Sequence, residues 1–208
     1  MSSSQHATAR TARNKSVTES IVCLNPSSST QSVLTIQGLV CRPLKVLQDE
    51  RGAVMHFLRS DASHFEQFGE VYFSQVNPGV IKGWKLHTEM VQNYAVPVGQ
   101  IALVVYDERS GSPSYGQINT LITGLGSWQE AHELTESFQL VTVPPGVWYG
   151  FCCASAFPAL IANCATHVHR PEESKTLPLE SPPNPEMKSV LERVIASPAM
   201  ASYTQQQK

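Results

Sequence analysis

Gly79-Val80-Ile81-Lys82-Gly83-Trp84-Lys85-Leu86-His87 is the stretch that decides the fold. A glycine breaks the chain, and an apolar-rich run of strand length follows it over residues 80–87. Side chains two apart on a strand share a face, so Lys85 and His87 project together. By the same rule Lys82 falls on the opposite face, unless Gly83 permits a bulge that re-aims it. Four residues separate His87 from Gln92, and six separate Gln92 from Gly99.

Working outward, the chain from about 33 to 169 reads as short strands divided by Gly, Pro and Asn. Strands are expected at 44–48, 53–58, 70–76, 80–87, 94–98, 100–107, 116–122, 140–143, 148–152 and 159–163. Many short strands at this spacing indicate an all-β sandwich or barrel. In 100–107, Ile101, Leu103 and Val105 alternate with Ala102, Val104 and Tyr106. Both faces are apolar, which suits a strand lying between the barrel interior and an outer layer.

The flanks differ. Residues 1–32 are polar and low in complexity, with Ser2-Ser3-Ser4 and Ser27-Ser28-Ser29, and are expected to be a disordered tail. Arg10, Arg13 and Lys15 against Glu19 give this start a faint transit-peptide character; a plain tail is the simpler reading. The barrel is expected over 33–178, and 179–208 as a Pro-rich linker, a short helix and a frayed end from 202. Asn184 and Pro185 have the chemistry of an N-cap and first helical residue. Met187, Val190, Leu191 and Val194 follow at helical spacing, so this helix docks on the barrel or on a partner subunit.

Composition narrows the function. The chain has 208 residues, 15% charged, and a formal net charge of -2. A nucleic-acid binder needs a clustered basic excess, which is missing. No apolar run reaches the ~18–20 residues that span a bilayer. The five cysteines (Cys23, Cys41, Cys152, Cys153, Cys164) form no C-x-x-C pair. With no secretory apolar core, they read as reduced thiols of a cytoplasmic protein. Cys152 and Cys153 should point to opposite faces of one strand.

Gly79, Lys85, His87, Gln92 and Gly99 match the spacing of the first cupin motif, G-x5-H-x-H-x3–4-E-x6-G. Pro144-Pro145-Gly146-Val147-Trp148-Tyr149 has the spacing of the second, with Tyr149 at its histidine. Further segments resemble the dTDP-4-dehydrorhamnose 3,5-epimerase family. Asp49-Glu50-Arg51-Gly52 is similar to its D-x-R-G. Gln75-Val76-Asn77 with Gly79-Val80-Ile81-Lys82-Gly83 is similar to its Q-x-N…G-V-L-R-G-L-H. Asp107-Glu108-Arg109 with Ser112-Pro113-Ser114-Tyr115-Gly116 is similar to its D-[IL]-R-x-x-S-P-T-[FY]-G, and residues 144–151 to its P-x-G-[FL]-A-H-G-F. The segments occur in the family's order across about 45–175.

The resemblance implies a double-stranded β-helix (a cupin or jelly-roll barrel) with a short C-terminal helix. It also implies a homodimer exchanging N-terminal strands, and a nucleotide-sugar ligand. Arg51 and Lys82 match the arginines that hold the substrate diphosphate, although a lysine lacks the guanidinium's fork. Gln75 and Asn77 match polar residues of the same cleft. Trp84 or Trp148 could stack on base or sugar, or each could be plain core.

The catalytic positions depart from the family. Its histidine is Lys85 here, its tyrosine falls at or near Ala162, its A-H-G-F histidine is Tyr149, and no aspartate follows Asp107 to orient a base. Epimerisation beside a ketone needs a base and an acid. Lys85, whose neutral amine is favoured by desolvation, and His87 are the candidate bases, and Tyr149 the candidate donor. Gln92 should point into the same interior and bind substrate.

The expectation is therefore an isomerase with a rewired acid–base site, acting on a dTDP-linked or other nucleotide-linked deoxysugar in polysaccharide biosynthesis. The alternative is a cupin in which Lys85, His87, Gln92 and Tyr149 form a satisfied polar network that only binds such a ligand or serves structure. No cofactor is expected. Of the four motif positions only His87 is a good metal ligand, and Lys85 would repel a cation. His167 and His169 lack an evident third ligand.

Overall fold

The computed structural model describes residues 22–23, 32–126 and 138–197. In chain order the strands are β1 (Val22–Cys23), β2 (Ser32–Val33), β3 (Val40–Pro43), β4 (Val46–Asp49), β5 (Gly52–Met55), β6 (Glu70–Val76) and β7 (Ile81–His87). Then follow β8 (Gln92–Asp107), β9 (Ile118–Gly126), β10 (Gln139–Val143), β11 (Val147–Cys153), β12 (Ala159–Ala165), β13 (Ser174–Thr176) and α1 (Pro185–Ile195). Most of the expected 1–32 tail and the end from 198 lie outside the described residues.

The two strands read on either side of Gly99 are one. β8 is continuous for 16 residues and serves both layers of the barrel. Its first half pairs with β10 and β12, and its second half with β11 and β9. One layer therefore runs β3-β10-β8-β12-β6 and the other β13-β7-β11-β8-β9. This is a double-stranded β-helix. Gly99 is the pivot: its φ is 70°, and an added Cβ would lie 2.7 Å from Ser155 Oγ and 2.8 Å from Ala159 Cα. A glycine there bends the strand rather than ending it.

The apolar alternation resolves into two cores. Ile101, Leu103 and Val105 join Tyr94, Tyr149, Phe151 and Ile161 inside the barrel. Ala102 and Val104 face outward, against Trp84, Trp148, Cys152, Met187 and Leu191. Cys152 and Cys153 fall on these opposite faces, both fully buried. The two tryptophans both belong to this outer core and are buried in it. The Trp84 indole N–H donates to the Leu179 carbonyl and that of Trp148 to Glu108.

Helix α1 starts where expected. The Asn184 side chain accepts from the Glu186 N–H, and Pro185 needs no partner for a missing N–H. The helix docks on its own barrel, burying Met187 and Leu191. Each stabilises by about 1.5–3 kcal/mol relative to an exposed position. No described helix is long and apolar enough to cross a membrane.

Candidate active site

A cavity of about 380 Å³ opens inside the barrel. Tyr72 and Ser74 of β6, Lys82 and Lys85 of β7, Tyr94 of β8 and Tyr149 of β11 give it its polar groups. Phe151 and Ile161 make its apolar wall.

Lys82 and Lys85 both line it, although they are three residues apart. The β7–β11 register explains this. Tyr149 pairs with Lys85 but Phe151 pairs with Lys82, so β7 carries one extra residue across Gly83 and Trp84. The bulge re-aims Lys82 to the interior face. Gly83 and Gly150 approach closely there, and a Cβ on Gly150 would lie 2.5 Å from the Trp84 ring. Lys82 Nζ donates to Ser74 Oγ (2.7 Å) and to the Gln75 carbonyl (3.0 Å).

Tyr149 is the inward residue of β11 level with Lys85, and its hydroxyl lies 3.2 Å from His87 Nε2. His87 is buried behind Tyr149 and does not reach the cavity. Its other nitrogen, Nδ1, is bonded to Glu173, which also accepts the N–H groups of Glu89 (3.3 Å) and Met90 (3.4 Å). The short strand β13 puts Glu173 there by pairing Ser174 with His87. Burial lowers the His87 pKa, with the Glu173 carboxylate opposing that shift only in part. Burial pushes the Glu173 carboxyl up, but its bonds to His87 and to the two amides outweigh this and leave it below its usual value. The pair is therefore neutral imidazole and carboxylate. Nδ1 carries the proton toward Glu173, and Nε2 presents a lone pair to Tyr149. Burial keeps Tyr149 itself a protonated phenol.

Two more tyrosines complete the site. Tyr94 packs against Tyr149, their rings meeting edge to face at 6.0 Å. Its hydroxyl also reaches Gln92 Oε1 at 3.3 Å, and Tyr72 reaches the same oxygen at 3.2 Å. Asn163 donates to both Gln92 Oε1 and the Tyr72 hydroxyl. Ala162, the sequence position of the family's tyrosine, points out of the barrel between the inward Ile161 and Asn163. Tyr94 stands directly across from Asn163 on the next strand.

Of the residues expected in the site, the fold brings Lys82, Lys85 and Tyr149 to the cavity. His87 and Gln92 are wholly buried behind its wall. Gln75 and Asn77 are exposed and bonded to each other at 3.0 Å. Arg51 sits on the β4–β5 hairpin, apart from the barrel sheet, paired with Asp49 at 2.6 Å. His167 bonds Gln67 and Thr166, and no cluster of three metal-ligating side chains occurs among the described residues.

The comparisons with known proteins agree with this architecture. The family model described as dTDP-4-dehydrorhamnose 3,5-epimerase matches residues 33–185. The chain belongs to that family. It is 29% identical over 140 residues to a protein of Haloferax volcanii named probable low-salt glycan biosynthesis epimerase Agl13, covering 66% of this chain and 83% of the relative. It is 26% identical over 138 residues to the spore coat polysaccharide biosynthesis protein SpsL of Bacillus subtilis, covering 66% and 85%. The crystal structure of a dTDP sugar isomerase from Desulfovibrio desulfuricans G20 superposes with a TM-score of 0.68 at 36% identity, over 80% of this chain and 96% of that one.

Glu173, Tyr94 and Tyr72 were not found from sequence. Tyr94 could have been: it lies two residues after the motif's Gln92, and so on the same strand face. Glu173 gave no signal, because it follows a segment with no strand pattern.

Proposed function

We propose that this member of the epimerase family inverts a carbon next to the ketone of a nucleotide-linked, in the first instance dTDP-linked, 4-keto-6-deoxy sugar. The observation that carries the reading is the chain Glu173–His87–Tyr149, which ends on the cavity wall. It has the logic of a nucleophile or base activated through an oriented histidine.

The substrate carbon gives its proton to the Tyr149 oxygen while the hydroxyl's own proton moves to His87 Nε2. The C–H electron pair becomes the enolate double bond, and the carbonyl pair moves onto oxygen. Glu173 stabilises the imidazolium that forms. The Lys85 ammonium offsets the enolate charge and returns a proton to carbon. His87 is thus a positioning and proton-holding residue that works through Tyr149, and Gln92 positions the tyrosines rather than touching sugar.

Lys82 holds the diphosphate at the cavity mouth. Arg51 would join it only from a second copy, since its hairpin stands away from its own cavity. The exposed Leu47 and Val54 of that hairpin, and Val71 and Phe73 on the edge strand β6, support a homodimer. A cytoplasmic place in polysaccharide assembly fits the buried free thiols Cys152, Cys153 and Cys164 and the named roles of the relatives.

Proton NMR of dTDP-4-keto-6-deoxyglucose with the protein in deuterated buffer tests the reading. Loss of the signal at carbon 3 or carbon 5 is expected. Ligand line broadening with no exchange would instead make this a binding cupin.

A further inference from the structure

Proton abstraction beside a ketone leaves charge on the ketone oxygen, and a donor must already be aimed at it. Resting on the epimerase reading above, we propose that Tyr94 is that donor.

The argument is a count of hydrogens. Gln92 Oε1 has two lone pairs, and three donors converge on it: Tyr72, Tyr94 and Asn163. The amide orientation is fixed. Asn163 Oδ1 accepts the Asn93 N–H at 3.0 Å, so its NH2 must face Gln92, which must answer with oxygen. Among the described residues Gln92 Nε2 has no partner, so the amide is held there by its oxygen. Tyr72 and Asn163 together fill that oxygen. Tyr94 therefore has one proton and no exclusive claim on it. Turning that proton away from Gln92 leaves Gln92 satisfied.

Tyr72 and Tyr94 both line the cavity, but Tyr94 is the one whose ring packs edge to face on Tyr149. A ketone oxygen placed between Tyr94 and Lys85 takes the Tyr94 hydrogen bond. That polarises the carbonyl. A sugar with a hydroxyl at carbon 4 in place of the ketone draws on this donor less. No net bond changes in this step; only the Tyr94 hydrogen bond moves.

The test is Tyr94→Phe, with dTDP affinity as the check that the site is folded. Substrate carrying carbon-13 at the ketone gives a readout that needs no turnover. Its carbonyl stretch should move to lower frequency on binding wild type and return toward the free value in Tyr94→Phe. Deuterium exchange should fall by roughly 10²–10³-fold in kcat, with KM changed by only a few-fold. A carbonyl stretch unchanged by the substitution would overturn the assignment whether or not exchange occurs. A stretch that does respond in a protein showing no exchange would keep Tyr94 on the ketone and remove the epimerase reading instead. Failure of the keto sugar to bind wild type would remove both.

Discussion

The Tyr149 hydroxyl stands 3.2 Å from His87 Nε2, and Glu173 holds the opposite ring nitrogen. Only the tyrosine meets the cavity. The arrangement fixes a direction for proton flow, from ligand to phenol to imidazole.

Glu173→Gln should remove the carboxylate that sets the tautomer and offsets the imidazolium. Deuterium exchange into the keto sugar should fall by roughly 10²–10⁴-fold while dTDP affinity stays near wild type. A loss confined to KM would argue that Glu173 serves binding instead.

The pH profile follows from the same pair. His87 must be neutral to accept, and burial lowers its pKa. The rate should therefore hold down to about pH 6.5, the ordinary histidine value, and fall only on the acid side of it. Glu173 opposes the lowering, so Glu173→Gln should move the acid limb to still lower pH. A limb unmoved in the variant would mean that His87 is not the group titrating.

Asp107 anchors the turn after β8. Its wholly buried carboxylate accepts from the Arg109 backbone and side chain and from the Ser112 and Ser114 hydroxyls. Burial would raise its pKa, but these bonds win and hold it well below the usual carboxylate range. A depressed folded-state pKa stabilises fully above the unfolded value of about 3.9, and the contribution is lost as pH falls below it. Asp107→Asn should cost about 2–4 kcal/mol at pH 7. Its melting temperature should depend less on pH than that of wild type between about pH 5 and 2. Parallel melting curves across that range would count against this role.

Leu191→Ala tests the docking of α1. The side chain is fully buried against the outer face of the barrel, and truncation should cost about 2–5 kcal/mol. Exchange activity below the melting transition should survive, since the cavity lies on the other face of the sheet. Unchanged denaturant unfolding would mean that the helix contributes nothing to the fold.

Much of this was legible in the sequence. The alternation in 100–107 gave a strand apolar on both faces, and it separates the inner core from the helix-covered one. The spacing from Gly79 to Gly99 placed Lys85 and His87 on one face, and both point inward. What strict alternation could not give was the bulge at Gly83, which depends on the backbone of β11 passing close to it. Burial depth was equally hidden. Lys85, His87 and Gln92 all read as inward-facing, yet of the three only Lys85 reaches the cavity. Glu173 arrives through a three-residue strand whose pairing with β7 is a long-range event, and no local pattern signals it.

The central claim is that Tyr149 exchanges the substrate proton by way of His87. It is tested most directly by following deuterium incorporation into dTDP-4-keto-6-deoxyglucose with wild type and Tyr149→Phe side by side. The account predicts incorporation at carbon 3 or carbon 5 with wild type, and at least a 10²-fold slower rate in the phenylalanine variant, which keeps the ring and loses only the oxygen. Equal rates in the two proteins would contradict it.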